Sequence, residues 1–136
     1  MSIEVVIAII GGGLALLGLI TYVARRPHKD LNRQYFTAKW NELQKGLSKQ
    51  EMWPMAVIQA DNLLDEALRK RRFKGKTMGE RMVAAQKSFT NNDQMWFGHK
   101  LRNRIVHETN TVLNEKEVKN ALIGLRQALR DLGALK

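Results

Sequence analysis

Apolar residues follow two different patterns along this chain, and the change comes near residue 25. Residues 5–24 read VVIAIIGGGLALLGLITYVA, 20 positions without a charge. A helix of that length spans about 30 Å, the hydrocarbon thickness of a bilayer. A core helix of a small domain is rarely apolar on every face, so the pattern predicts a transmembrane helix. Tyr22 lies near one end of it, where an aromatic ring can sit among headgroups. Beyond residue 30 apolar positions recur at three-to-five spacing, with no sustained alternation of period two. That spacing predicts helices and no sheet.

Five helices are expected in this second region. Asp30 is placed to cap a helix bearing Leu31, Phe36, Trp40, Leu43 and Leu47, with Gly46 and Ser48 at its end. Ser48-Lys49-Gln50-Glu51 has the capping-box pattern and should open the next, which buries Trp53, Val57, Ala60, Leu64, Ala67 and Leu68. Pro54 is tolerable there only in or near the first turn, and the helix should end near Phe73, before Gly75. Thr77-Met78-Gly79-Glu80 is another capping box, ahead of Met82, Val83, Ala85 and Phe89. Asn91 or Asn92 should cap a helix from Asp93 to about Thr109, with Trp96, Phe97, Leu101 and Ile105 toward the core. Asn114 and Glu117 open the last helix, whose stripe is Val118, Leu122, Leu125, Leu129 and Leu132, closed by Gly133. The expected fold is all-α: one N-terminal transmembrane helix, then an antiparallel bundle of about five helices. Trp40, Trp53 and Trp96 are read as core. The expected organisation is a short tail at 1–4, the span at 5–24, a basic connector at 25–30 and a helical domain at 31–136. Pro27 should stop the first helix.

Charge adds direction. The chain of 136 residues carries a net charge of +10, which points to anionic partners, nucleic acid or acidic lipid. Lys and Arg are absent before the span and present after it as Arg25, Arg26 and Lys29. The expectation is an N-terminus outside and a C-terminal domain in the cytoplasm. A cleavable signal peptide is the alternative, but the run lacks a positive leading segment and passes straight into Arg25. The small pairs Ala8/Gly12 and Gly11/Ala15 would let two such spans approach closely. There is no cysteine and there are three scattered histidines, so disulfide, thiolate and zinc chemistry are not expected, nor is any metal or other cofactor.

Two segments could carry function. Arg69, Lys70, Arg71, Arg72, Lys74 and Lys76 put six cations in eight residues, able to hold RNA phosphate or anionic lipid. A helix C-terminus also favours cations, without calling for six. Phe73 is the lone aromatic there, which argues against base-specific reading. The second segment is Lys100-Leu101-Arg102-Asn103-Arg104-Ile105-Val106-His107-Glu108. Asn103 and His107 are four apart on one helix face, and His99 extends that line a turn back. A neutral imidazole can take a proton from a ribose 2′-hydroxyl, and an arginine fork can hold the phosphate. An asparagine can orient either group.

Arg102-Asn103 followed by His107 resembles the Arg-polar-x-x-x-His motif of HEPN domains (higher eukaryotes and prokaryotes nucleotide-binding). The order and spacing of the helices over most of residues 48–133 resemble that family as well. The resemblance implies an all-α, usually dimeric fold and, in many members, a metal-independent endoribonuclease whose two motifs meet at the dimer interface. It implies His107 as general acid or base, Arg102 as phosphate binder and Asn103 as orienting residue. The span at 5–24 departs from the commonest, soluble form. The other reading is a non-catalytic dimerisation, RNA-binding or scaffold module tethered to the membrane. An enzyme would expose the Arg102–Asn103–His107 face, while a scaffold would bury it with its polar atoms paired.

Overall fold

A computed structural model describes residues 1–24 and 30–136. The expected connector and the stop at Pro27 fall largely on residues 25–29 and lie outside the described residues. Among the described residues there are six α-helices and no strand: α1 Ile3–Ala24, α2 Arg33–Lys45, α3 Trp53–Lys70, α4 Met78–Ala84, α5 Asn92–His107 and α6 Glu115–Asp131. The stretch Ile3–Tyr22 of α1 has a mean hydropathy of 2.5 and no buried residue. It is long and apolar enough to cross a bilayer, a property that a signal sequence would share.

The remaining helices form a bundle around one core. Phe36, Trp40 and Leu43 of α2 meet Val57, Leu64 and Leu68 of α3, Met82 of α4, Met95 and Leu101 of α5, and Leu125 and Leu129 of α6. Trp40 is buried, while Trp53 and Trp96 are half-buried against the same cluster. Phe97 and Val83, expected inside, are exposed, because the core faces of their helices are filled by Leu101 and by Met82 and Ala85. The closest approach is between α5 and α6. A methyl group on Gly98 would lie 2.7 Å from Leu125 Cγ, and one on Gly124 would collide with the backbone oxygen of Gln94. These two glycines let the backbones approach and so fix where α5 lies.

Local signals set most helix ends. Capping boxes form at Thr77/Glu80 and Asn114/Glu117, and Asn91 Oδ1 accepts from Gln94 N–H at 3.0 Å. Three expectations are corrected. Asn32 caps α2, its Oδ1 accepting from Tyr35 N–H at 3.2 Å, so Asp30 lies outside the helix. Ser48 to Glu51 form no capping box: Gln50–Met52 is a 3-10 turn and α3 opens only at Trp53, where Pro54 needs no N–H partner. Helix α3 stops at Lys70, three residues short of Phe73. Arg72 takes φ +65° there, so that Phe73 N–H reaches Leu68 O at 3.1 Å and Arg72 N–H reaches Arg69 O at 2.9 Å. Gly133 makes the same turn after α6 at φ +82°.

Candidate functional site

Helix α5 carries the motif, and its middle is tied to α3 by a closed ring of polar contacts. Arg102 Nη1 donates to Asn103 Oδ1 at 3.1 Å. Asn103 Nδ2 lies 3.4 Å from His99 Nε2, and His99 Nδ1 lies 3.0 Å from Asp61 Oδ1. Asp61 Oδ2 returns to Arg102 Nε at 3.6 Å, an ion pair longer than a hydrogen bond. The donors and acceptors are mutually consistent with a neutral His99 protonated on Nδ1. That tautomer gives to the carboxylate and accepts from the Asn103 amide. Trp96 packs edge-on against the His99 ring, with centroids 5.7 Å apart.

Burial makes this ring costly to leave incomplete. Asp61 is 1% exposed and His99 9%. Burial pushes the Asp61 carboxyl above its ordinary pKa, while the His99 hydrogen bond and the Arg102 charge pull it back. Arg102 is less enclosed, its side chain 28% exposed. Its Nε is buried without a hydrogen-bond partner among the described residues. The guanidinium is therefore anchored at one edge and remains partly open to solvent.

His107 stands apart. It is the last residue of α5, exposed, and makes no side-chain hydrogen bond among the described residues. Five residues of helix turn it about 140° away from Arg102. The structure thus joins Arg102 to Asn103 and leaves His107 outside that ring. Val106, just before it, is 48% exposed, and Val112, in the loop that follows the helix, 86%. Below it, Arg104 Nη2 pairs with Glu117 Oε1 of α6 at 2.9 Å, and Thr111 donates to Arg104 O at 3.2 Å, so the helix end is braced. The Arg104 hydrogen bond holds Glu117 below the usual carboxylate range.

The basic cluster divides. Arg69 pairs with Asp65 at 3.4 Å and Lys70 with Glu66 at 3.1 Å, the Lys70 ammonium also lying 4.6 Å from the Tyr35 ring centre. Arg72, Lys74 and Lys76 are exposed, whereas Arg71 is half-buried. Asp65 is held more tightly by Arg81, at 2.8 and 3.1 Å. Sequence reasoning missed Asp61. The signal was there: 57, 60, 61, 64 and 68 share one face, and a carboxylate on an apolar stripe needs a buried partner. Among the described residues no group of three His, Asp or Glu is placed to hold a metal ion. No family model, curated protein or solved structure matches the chain.

Proposed function

We propose that this protein is a membrane-anchored endoribonuclease of HEPN type, acting as a homodimer without a metal. The observation that carries this reading is the contrast on α5. Arg102 and Asn103 are pre-oriented by Asp61 and His99, while His107 is exposed at the helix end with no side-chain partner among the described residues. His107 takes the proton from a ribose 2′-hydroxyl. The 2′-oxygen attacks the adjacent phosphorus, the bond to the 5′-oxygen breaks, that oxygen takes a proton from water, and a 2′,3′-cyclic phosphate remains. Arg102 holds the phosphate oxygens, and Asn103 orients the guanidinium. Exposed Val106 next to His107, and exposed Val112 in the loop that follows, support a two-fold contact that brings each His107 to the partner's motif. Arg72, Lys74 and Lys76 supply non-specific phosphate contacts.

The apolar length of α1 supports the anchor, and the Lys/Arg imbalance around it supports a cytoplasmic domain. A reporter fused to the C-terminus that works only outside the cytoplasm should stay silent. The test of the activity is cleavage of RNA by the full chain in neutral detergent. Cyclic-phosphate ends, resistance to chelator and no cutting of DNA are expected. Cutting that needs the chelated ion, or equal cutting of DNA, contradicts the mechanism.

The second reading is a non-catalytic scaffold or RNA-binding module. It is favoured by the burial of Asp61 and His99, whose contacts pin α3 to α5 whether or not RNA is cut. Absence of cleavage by wild type, with a large loss of stability on breaking the ring, selects it.

A further inference from the structure

The bundle has a second basic site at the end where α2 begins and α3 and α6 finish. A surface cavity of about 710 Å³ lies there, lined by Arg33, Arg71 and Arg130 together with Asp30 and Asp131. Arg71 and Arg130 sit at helix C-terminal ends, where the dipole favours a cation. Arg33 does not: it is the first residue of α2, at the positive end, and no acidic residue occupies that first turn. Its Nε donates to Gly133 O at 3.2 Å, and the rest of the fork has no hydrogen-bond partner among the described residues. None of the three arginines has a carboxylate partner among the described residues. Asp131 instead uses Oδ2 on the Thr90 N–H and hydroxyl and Oδ1 on Gln127. The Nε of Arg71 is buried with no hydrogen-bond partner among the described residues. Three forks and a helix N-terminus around one cavity are a constellation for an anion with several oxygens.

The chain's connectivity says which anion. Six peptide units join Ala24, the end of α1, to Asp30 at the cavity, and they reach at most about 22 Å. A bilayer that holds α1 therefore keeps this cavity within that reach of its headgroups. We propose that the Arg33–Arg71–Arg130 cavity binds the phosphodiester headgroup of an anionic lipid, docking the domain against the membrane that α1 enters. The proposal rests on α1 being membrane-inserted, and is independent of nuclease activity.

The test uses the full chain in neutral detergent micelles doped with phosphatidylglycerol, with phosphatidylcholine as control, following the melting temperature of the domain. Phosphatidylglycerol should raise it and phosphatidylcholine should not. Removing one arginine near a charged surface costs on the order of fivefold in affinity. Arg130→Gln, an exposed position, should raise the half-saturating lipid fraction about fivefold, and Arg71→Gln/Arg130→Gln about 25-fold. Lys116→Gln/Lys119→Gln, which removes equal charge elsewhere, should leave it unchanged. An equal response to both lipids, or no effect of Arg130→Gln, overturns the site. So does an Arg130-dependent shift given by inorganic phosphate or a short RNA but not by lipid. Alkaline extraction of the chain from vesicles tests α1 separately. A chain released by alkali overturns the anchor, while the micelle titration still reads the site.

Discussion

His99 and His107 lie eight residues apart on α5 and have opposite surroundings. One faces Asp61 of α3 and is closed in by Trp96 and Asn103; the other ends the helix in solvent. The same imidazole is a structural donor and acceptor in the first place and a solvent-exposed helix end in the second. What separates them is the facing helix, since Asp61 of α3 meets α5 at His99 and Arg102 while His107 is exposed. On the proposed reading, stability resides at the His99 end and chemistry at the His107 end, so mutations should separate the two.

The largest expected effect is at His107. His107→Ala should lower the RNA cleavage rate about 10² to 10⁴-fold, the usual cost of losing a general acid or base. Its melting temperature should match wild type, because an exposed side chain without partners contributes about 0.5 kcal/mol or less. A large drop in melting temperature at this position would move His107 into the structural class. The converse holds at the other end. Asp61→Ala should cost about 1–3 kcal/mol in urea unfolding, since it leaves buried His99 and Arg102 groups unpaired. A double-mutant cycle with His99→Ala should give a coupling of about 0.5–3 kcal/mol. No coupling would mean that the ring is not cooperative.

Helix ends offer a sharper, smaller comparison. Arg72 and Gly133 make the same left-handed turn, one with a side chain and one without. Arg72→Gly should stabilise by up to about 1 kcal/mol and Gly133→Ala should destabilise by about as much, measured by thermal melting. A destabilised Arg72→Gly would show that the arginine side chain matters more than its backbone.

The smallest effect is the pH dependence. Asp61 binds its proton more tightly in the folded chain than unfolded, because burial raises its pKa. Its contribution is full below about pH 3.8, the unfolded value, and is lost as pH rises through the folded one. Glu117 runs the other way: its contribution is present above about pH 4.5 and is lost as pH falls through its lowered folded pKa. The stability of wild type relative to Asp61→Asn should therefore improve as pH falls from about 7 to about 4. A gap that widens in the opposite direction would show that His99 and Arg102 outweigh burial.

Local chemistry was legible in the sequence and facing partners were not. The apolar run of α1, the capping boxes at Thr77 and Asn114 and the glycine at 133 act within one or two turns, so residue order alone declared them. The stop after Lys70 escaped because the left-handed turn, closed by the Phe73 N–H on Leu68 O, falls on Arg72, a residue with no preference for it. Asn32 displaced Asp30 as a cap because both residue types fit, and the position of Phe36 in the core chose between them. At the candidate site, Arg102, Asn103 and His107 were visible as spacing on one helix. The 38-residue separation of Asp61 from His99 hid their contact, which exists only once α3 and α5 are packed.

The measurement that tests the central claim most directly is recovery of RNA cleavage on mixing two dead variants. Arg102→Ala and His107→Ala chains are each expected to cut poorly as homodimers. Subunit exchange between them should restore one intact composite site in each mixed dimer, up to roughly one quarter of wild-type activity for random pairing of two-fold dimers. A wild type without ribonuclease activity, or a mixture that stays as inactive as its components while exchanging subunits, would contradict the account.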